Sequence, residues 1–284
     1  MNKKCLIIAV PASVISDTPH LREKTAKVGL IGRAAAIFRA DEIVVYRDNP
    51  REKQAEELDL VATLLSYMET PQYLRKGLFK IEPRLRYAGI LPPLRTPHHP
   101  VNRRVKDLQV GEYVEGAVLS SAKEGLLVDV GVEAPALLRD KQHAVGNRLT
   151  LQVVRAGERV EVQTAKREDV PDYWGYTIRV ERGSLRSAVS CVKADLVVGT
   201  SRKGVDLTSA SEKLEGKWLV ASSILVVFGA PSRGLIEIAE DEGWHLGELV
   251  DFVVNTIPCQ GTETVRTEEA IFSSLSIFNV WFGF

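Results

Sequence analysis

Asn255-Thr256-Ile257-Pro258-Cys259-Gln260-Gly261-Thr262-Glu263-Thr264-Val265-Arg266-Thr267-Glu268-Glu269-Ala270 follows directly on an apolar run, Leu249 to Val254. The run reads as a buried strand. The middle is a polar loop with one Pro and one Gly, and the end opens a helix with acids in its first turn. Such a loop presents backbone N–H and C=O groups in fixed positions, which suits a small polar ligand. It has no G-x-G-x-x-G and no G-K-[ST], so it does not read as a triphosphate cradle.

Two further strand ends have the same character. Asp195 to Thr200 runs into Ser201-Arg202-Lys203-Gly204. Ile224 to Phe228 runs into Gly229-Ala230-Pro231-Ser232-Arg233-Gly234. Three such ends would gather on one edge of a parallel sheet, where ligands bind in open α/β folds. The N-terminal part fits that sheet. Residues 5–10 and 43–46 read as buried strands. Leu21 to Phe38 reads as a helix. Residues 50–69 read as an amphipathic helix, with Asp48-Asn49-Pro50 as its start signal. The last helix is expected over Glu268 to Trp281.

The pattern changes at Leu91-Pro92-Pro93. Five short alternating runs follow: Tyr113–Leu119, Gly125–Val130, Ala136–Leu138, Arg148–Arg155 and Arg159–Ala165. Short strands at this spacing predict a small barrel. The α/β pattern returns after Asp169. The expected organisation is therefore one α/β domain, 1–91 with 169–284, interrupted by a barrel over 92–168.

Composition narrows the classes. With 45% hydrophobic and 26% charged residues, the 284-residue chain is ordinary globular material. No apolar run reaches membrane-span length. Cys5, Cys191 and Cys259 lie far apart without a C-x-x-C, which predicts reduced thiols and a cytoplasmic protein. The five histidines show no ligand spacing with Cys or carboxylates, so no metal site is expected. Net charge is zero, yet Pro71 to Lys106 holds nine bases against one acid, Glu82. Arg75, Lys76, Arg84, Arg86, Arg95, Arg103 and Arg104 in that segment are the candidate contacts to an anionic partner, expected to be RNA.

The strings VVFGAPSRGL (226–235) and NTIPCQGTETVRTEEA (255–270) resemble two motifs of the SPOUT class of RNA methyltransferases, α/β proteins with a C-terminal trefoil knot. VPASVISD, IGRAAAIFRADEIVVYRD, PQYLRKGLF, YAGILPPLRTPHHP, DYWGYTIRV and GTSRKGVDL extend the likeness over nearly the whole chain. VGEYVEGAVLSSAKEGLLVDVGVEAPALL (110–138) resembles RNA-binding OB modules. Together these resemble the archaeal and eukaryotic SPOUT family that carries an inserted OB-type barrel.

The resemblance implies S-adenosylmethionine as methyl donor, leaving S-adenosylhomocysteine. It also implies a homodimer, with the apolar C-terminus from Ile277 to Phe284 as one candidate face. Phe228, Gly229 and Pro231 would approach the adenosine. Asn255, Ile257, Pro258, Gln260 and Gly261 would surround it. Thr264, Val265 and Arg266 would close the cleft, with Thr200, Ser201 and Lys203 opposite. Candidate catalytic residues are Arg33, Arg266 and Glu268. Related ribose methylases carry an Asn about six residues before the Arg that corresponds to Arg33; here that position is Lys27. TVRTEEA (264–270) resembles instead a motif of bacterial rRNA methyltransferases acting on uridine N3, which favours a base nitrogen as acceptor. The rival expectations are an assembly factor that binds RNA without turnover, and a methyltransferase acting on protein or a small molecule.

Overall fold

The computed structural model describes residues 4–101 and 103–283. The first three residues of the N-terminal Met1-Asn2-Lys3-Lys4, and the Phe284 end of the candidate dimer face, lie outside them. Two compact units result, one formed by residues 1–68, 84–93 and 176–284, the other by 69–83 and 94–175.

The first unit is a six-stranded parallel sheet. Its strands are β1 (Cys5–Pro11), β2 (Glu42–Tyr46), β8 (Thr177–Glu181), β9 (Leu196–Asp206), β10 (Ser223–Val227) and β11 (Phe252–Asn255), in the order β11-β9-β10-β1-β2-β8. Both faces are covered, which is why the strands read as continuous apolar runs rather than alternating ones. Leu6, Ile7, Ile8, Ala9 and Val10 are all buried. Ile7, Ala9, Val44, Leu225 and Val227 pack with α4 (Leu185–Val192) and α6 (Leu235–Asp241). The unit also holds α1 (Leu21–Ile37), α5 (Leu207–Val220), α7 (Thr267–Phe282) and all but the last residue of α2 (Ala55–Glu69). α1 packs on α7, and α5 on α7. Trp218 of α5 packs with tilted rings against Phe278 and Phe282, and its indole N–H donates to the carbonyl of Gly283 at 3.0 Å. Much of the apolar C-terminus is thus used within the chain, while Val280 and Trp281 stay exposed. No helix among the described residues is long and apolar enough to cross a membrane.

The second unit is built on a closed barrel of β3 (Tyr113–Ala122), β4 (Gly125–Asp129), β5 (Ala136–Leu138), β6 (Arg148–Arg155) and β7 (Glu161–Thr164). Its alternating residues Val114, Val118, Leu126, Val128, Leu138, Leu151, Val153 and Val162 fill the interior. The expected parallel sheet and the expected small barrel are both present. The basic segment is not all loop: Gln72–Leu78 forms α3.

A polar network fastens this segment to the barrel. Arg148 of β6 binds Glu69 at 2.5 Å and Glu115 of β3 at 2.5 Å. Glu115 also accepts from Thr150 Oγ1 at 2.8 Å and from Trp174 Nε1 at 2.6 Å. His98 Nε2 lies 3.1 Å from Glu69 Oε1, and His99 Nε2 bonds the Glu69 carbonyl at 2.6 Å. Burial would raise the Glu69 carboxyl, but His98 and Arg148 hold it below the usual range. Burial, aided by neighbouring His98, lowers His99 to about 4.

Among the differences from the sequence reading are two boundaries and one strand. The second helix starts at Ala55, not at Pro50. Asp48 does not cap it. Its carboxylate is fully buried and accepts from Ser13 N at 3.0 Å, Ser13 Oγ at 2.6 Å, Gln54 Nε2 at 3.0 Å and Arg233 Nη2 at 3.1 Å. The strand expected from Leu249 begins at Phe252, because Leu246–Glu248 makes a 3-10 turn that buries Leu246. DYWGYTIRV supplies an unanticipated sixth strand, β8, which pairs with β2 from Glu42↔Thr177 to Tyr46↔Glu181.

Two outcomes follow from these buried charges. Asp48→Ala strands the Ser13, Gln54 and Arg233 donors and should destabilise the protein by about 3–5 kcal/mol in urea unfolding. For His99, the unfolded chain binds the proton near pH 6.5 and the folded one only near pH 4. Its contribution to stability is therefore complete above 6.5 and is lost as pH falls through 4. Thermal melts of His99→Gln should be flatter than wild type across that window.

Candidate functional site

The C-terminal ends of β9, β10 and β11 carry the loops singled out from sequence, and the structure brings them together. A cavity of about 240 Å³ is lined by Thr200 and Lys203 from β9, Phe228 to Gly234 after β10, Asn255 at the end of β11, and Ile257 and Gln260 beyond it. Thr264, Val265, Thr267 and Ala270 complete it from the start of α7. Thr200, Lys203, Phe228, Gly229, Pro231, Asn255, Ile257, Gln260, Thr264 and Val265 thus share one wall system. Pro258 and Gly261 belong to the same loop but do not line the cavity.

The β9 segment is not the simple loop expected after Thr200. The strand runs on to Asp206, but its pairing with β11 jumps from Gly199↔Val253 to Val205↔Val254. Residues 200–204 bulge out of the ladder while the partner advances one residue, and the bulge re-aims their side chains toward the cavity. Gly204 allows this. A Cβ there would sit 2.7–2.9 Å from the Val253 and Val254 backbone.

Each loop is tied down. Thr200 Oγ1 donates to the Val227 carbonyl at 3.1 Å. Tyr46 Oη donates to the Phe228 carbonyl at 2.7 Å, and Ala230 N to the Arg233 carbonyl at 2.8 Å. Thr267 Oγ1 on α7 donates to the Gly229 carbonyl at 2.9 Å. Asn255 Oδ1 accepts from Ile257 N at 3.0 Å, and Asn255 Nδ2 donates to the Arg202 carbonyl at 3.2 Å. Gln260 Nε2 donates to the Thr262 carbonyl at 2.8 Å. Arg202 reaches the Glu263 carbonyl, and Lys203 pairs with Glu237. The Lys203 hydrogen bond and charge hold the Glu237 carboxyl below its ordinary value. Apolar surface from Ile257, Val265 and Ala270 lies in a cavity whose rim carries both signs of charge.

A second cavity, about 290 Å³, adjoins the first and shares Pro231, Ser232, Thr264 and Val265 with it; Ser16, Asp17 and Arg266 are its own. Arg266 faces this second space. Its backbone N–H donates to Glu269 at 2.9 Å, which makes Glu269 the helix cap. Glu268 is turned inward and buried, with Oε2 lying 3.4 Å from Lys27 Nζ. Arg33 lies on α1 and reaches neither cavity; its guanidinium donates to the Pro93 carbonyl at 3.0 Å.

The basic residues divide between the units. Lys76, Arg95 and Arg104 are exposed on the barrel unit, with Arg75 and Arg103 half-buried there. Arg75 Nε donates to the Thr70 carbonyl at 2.8 Å, and Arg103 pairs with Glu112. Arg84 and Arg86 belong to the sheet unit, where Arg86 lies 5.5 Å from the Tyr87 ring centre. Sequence reading missed Asp48, Asp17 and Glu237. Asp48 stands two residues beyond a buried strand, and that position at a sheet's ligand edge was the available signal.

A family model described as "Putative RNA methyltransferase" matches residues 5–278. The chain belongs to this family. An uncharacterized protein of Halobacterium salinarum is 33% identical over 94% of this chain and 96% of its own. The 28S rRNA (uridine-N(3))-methyltransferases of Mus musculus and Homo sapiens are each 32% identical over 95% of this chain, and over 75% and 77% of their own. This family member is an RNA methyltransferase, and its reaction requires a methyl donor.

The bulge and the open loop make opposite predictions for two glycines of the same site. Gly204→Ala should lower stability by about 1–3 kcal/mol, because its Cβ meets backbone that cannot move without unpairing β11. Gly261→Ala meets nothing within 4 Å and should leave the thermal midpoint unchanged.

Proposed function

We propose that this protein transfers a methyl group from S-adenosylmethionine to N3 of a uridine in ribosomal RNA, acting as a homodimer whose C-terminal chain forms a trefoil knot. The observation that carries the reading is the convergence of three strand-end loops on one cavity of mixed chemistry. The named activity of the mouse and human relatives supports the acceptor.

The cavity suits the donor. Adenosine needs apolar walls, which Ile257, Val265 and Ala270 provide, with the fully buried Phe228 packed beneath them. A methionyl group is zwitterionic and needs both charges, which Lys203 and Arg202 with Glu237 and Glu263 provide. When bound, S-adenosylmethionine supplies a methyl already activated on a sulfonium. As the N3–methyl bond forms and the methyl–sulfonium bond breaks, the N3 proton passes to water, so the protein's task is alignment and stabilisation of the charge left on the base. Arg266 would take the second role. Its guanidinium makes no hydrogen bond or ion pair among the described residues, and it borders the space beside the donor cavity. Arg33 reaches neither cavity of its own chain, so any part it plays in transfer is across the dimer. A base must leave its stack to reach this depth. Lys76, Arg95 and Arg104, with Arg75, Arg84, Arg86 and Arg103, would hold the RNA backbone without reading sequence. The domain division 1–91 with 169–284, around a barrel at 92–168, belongs to the same proposal.

Two measurements test it. Isothermal titration with S-adenosylmethionine should give saturable heat, and Asn255→Ala should weaken binding about tenfold by loosening the loop. Nucleoside mass spectrometry of ribosomal RNA from a deletion strain should show loss of 3-methyluridine at one position. Absence of heat, with 3-methyluridine intact, would leave an assembly factor without turnover.

A further inference from the structure

Lys27 is a buried ammonium held between two carboxylates, one from the turn before α1 and one from α7. Its Nζ lies 2.7 Å from both Asp17 oxygens and 3.4 Å from Glu268 Oε2. The Lys27 and Glu268 side chains are only 6% and 7% exposed, whereas Asp17 is 32% exposed. Glu268 Oε2 is buried without a hydrogen-bond partner. Burying such a cluster gains little stability over apolar packing of the same volume. One member, Asp17, opens into the second cavity, with Ser16, Ser232 and Arg266 around it.

We infer that this second cavity receives the Watson–Crick edge of the acceptor uracil, and that Asp17, fixed by Lys27, reads its N3–H. The inference rests on the uridine-N3 reading above. A uracil edge presents an acceptor, a donor and an acceptor: O2, N3–H and O4. The cavity offers the complement. The Asp17 carboxylate accepts, and the Arg266 guanidinium with the Ser16 and Ser232 hydroxyls donates. Cytosine reverses the central contact, setting a nitrogen lone pair against a carboxylate. These groups are exposed in the free protein, so the discrimination arises once a bound base covers them and a mismatched edge leaves the carboxylate unpaired.

Asp17 must stay ionised and stay in place to do this. Partial burial works against ionisation, but the Lys27 hydrogen bond and charge outweigh it and hold the carboxyl below the usual range. Thr18 Oγ1 adds a third donor at 3.1 Å. Oδ1 accepts from both Lys27 and Thr18, whereas Oδ2 accepts from Lys27 and keeps a lone pair for the cavity. Asp17 is thus a specificity residue touching the base. Lys27 is a positioning residue acting through it, with Glu268 closing the cluster from α7.

The test uses paired ribosomal RNA fragments spanning the position mapped in the deletion strain, carrying either uridine or cytidine there. Fluorescence anisotropy without methyl donor reads affinity, and calorimetry with S-adenosylmethionine reads the integrity of the neighbouring cavity. Wild type should prefer the uridine fragment roughly tenfold. Asp17→Asn, whose amide can either donate or accept, should reduce the preference to within about twofold. Lys27→Met should shift it the same way. Both variants should bind the donor as wild type does. Undiminished preference in either variant, with donor binding intact, overturns the inference. So does a wild type that methylates uridine yet binds both fragments equally. A wild type that produces no 3-methyluridine removes the underlying reading instead.

Discussion

A single buried carboxylate organises the ligand edge of the sheet. Asp48 follows β2, accepts from the segment after β1 through Ser13, and grips the loop after β10 through Arg233. A carboxylate withdrawn from water is costly unless its lone pairs are filled. Four donors from three stretches of chain fill them, and that requirement fixes where those stretches meet. The loop that Arg233 closes then has one position. Thr267 and Tyr46 reach its carbonyls only from there. The cavity is a by-product of satisfying a charge.

The second half of the site depends on backbone. β9 and β11 run parallel, and parallel strands at a sheet edge would ordinarily continue in register. The five-residue bulge over 200–204 breaks that register at the level where β10 ends, so three polar loops face one another. The mixed charge around the rim follows. Arg202 and Lys203 project from the bulge and find carbonyl and carboxylate partners on neighbouring segments.

The sheet, the barrel and the three convergent loops were legible in the sequence because each rests on a repeating or local signal: apolar runs, alternation, and Gly/Pro/Ser clusters at strand ends. β8 was not. Thr177 to Glu181 has only two apolar residues and pairs on one edge, so it lacks the continuous run of the central strands. The role of Asp48 was hidden by a stronger local pattern, since Asp-Asn-Pro is a good helix start and its real partners lie 35 and 185 residues away. The difference between the two acids of TVRTEEA was hidden for a similar reason. Only packing against α1 separates Glu269, a cap in solvent, from Glu268, a buried partner of Lys27.

The order of strands also dictates an order of folding. The barrel closes among β3 to β7, which follow one another closely along the chain. β1, in contrast, pairs Leu6 with Ile224. During synthesis the barrel segment emerges whole while β1 and β2 still lack one neighbour each, β10 for the first and β8 for the second. Local pairings form quickly and distant ones slowly. The N-terminal strands therefore wait, apolar on both faces, until most of the polypeptide has left the ribosome. Nascent chains of this protein should be most vulnerable to aggregation and most in need of chaperones during that interval.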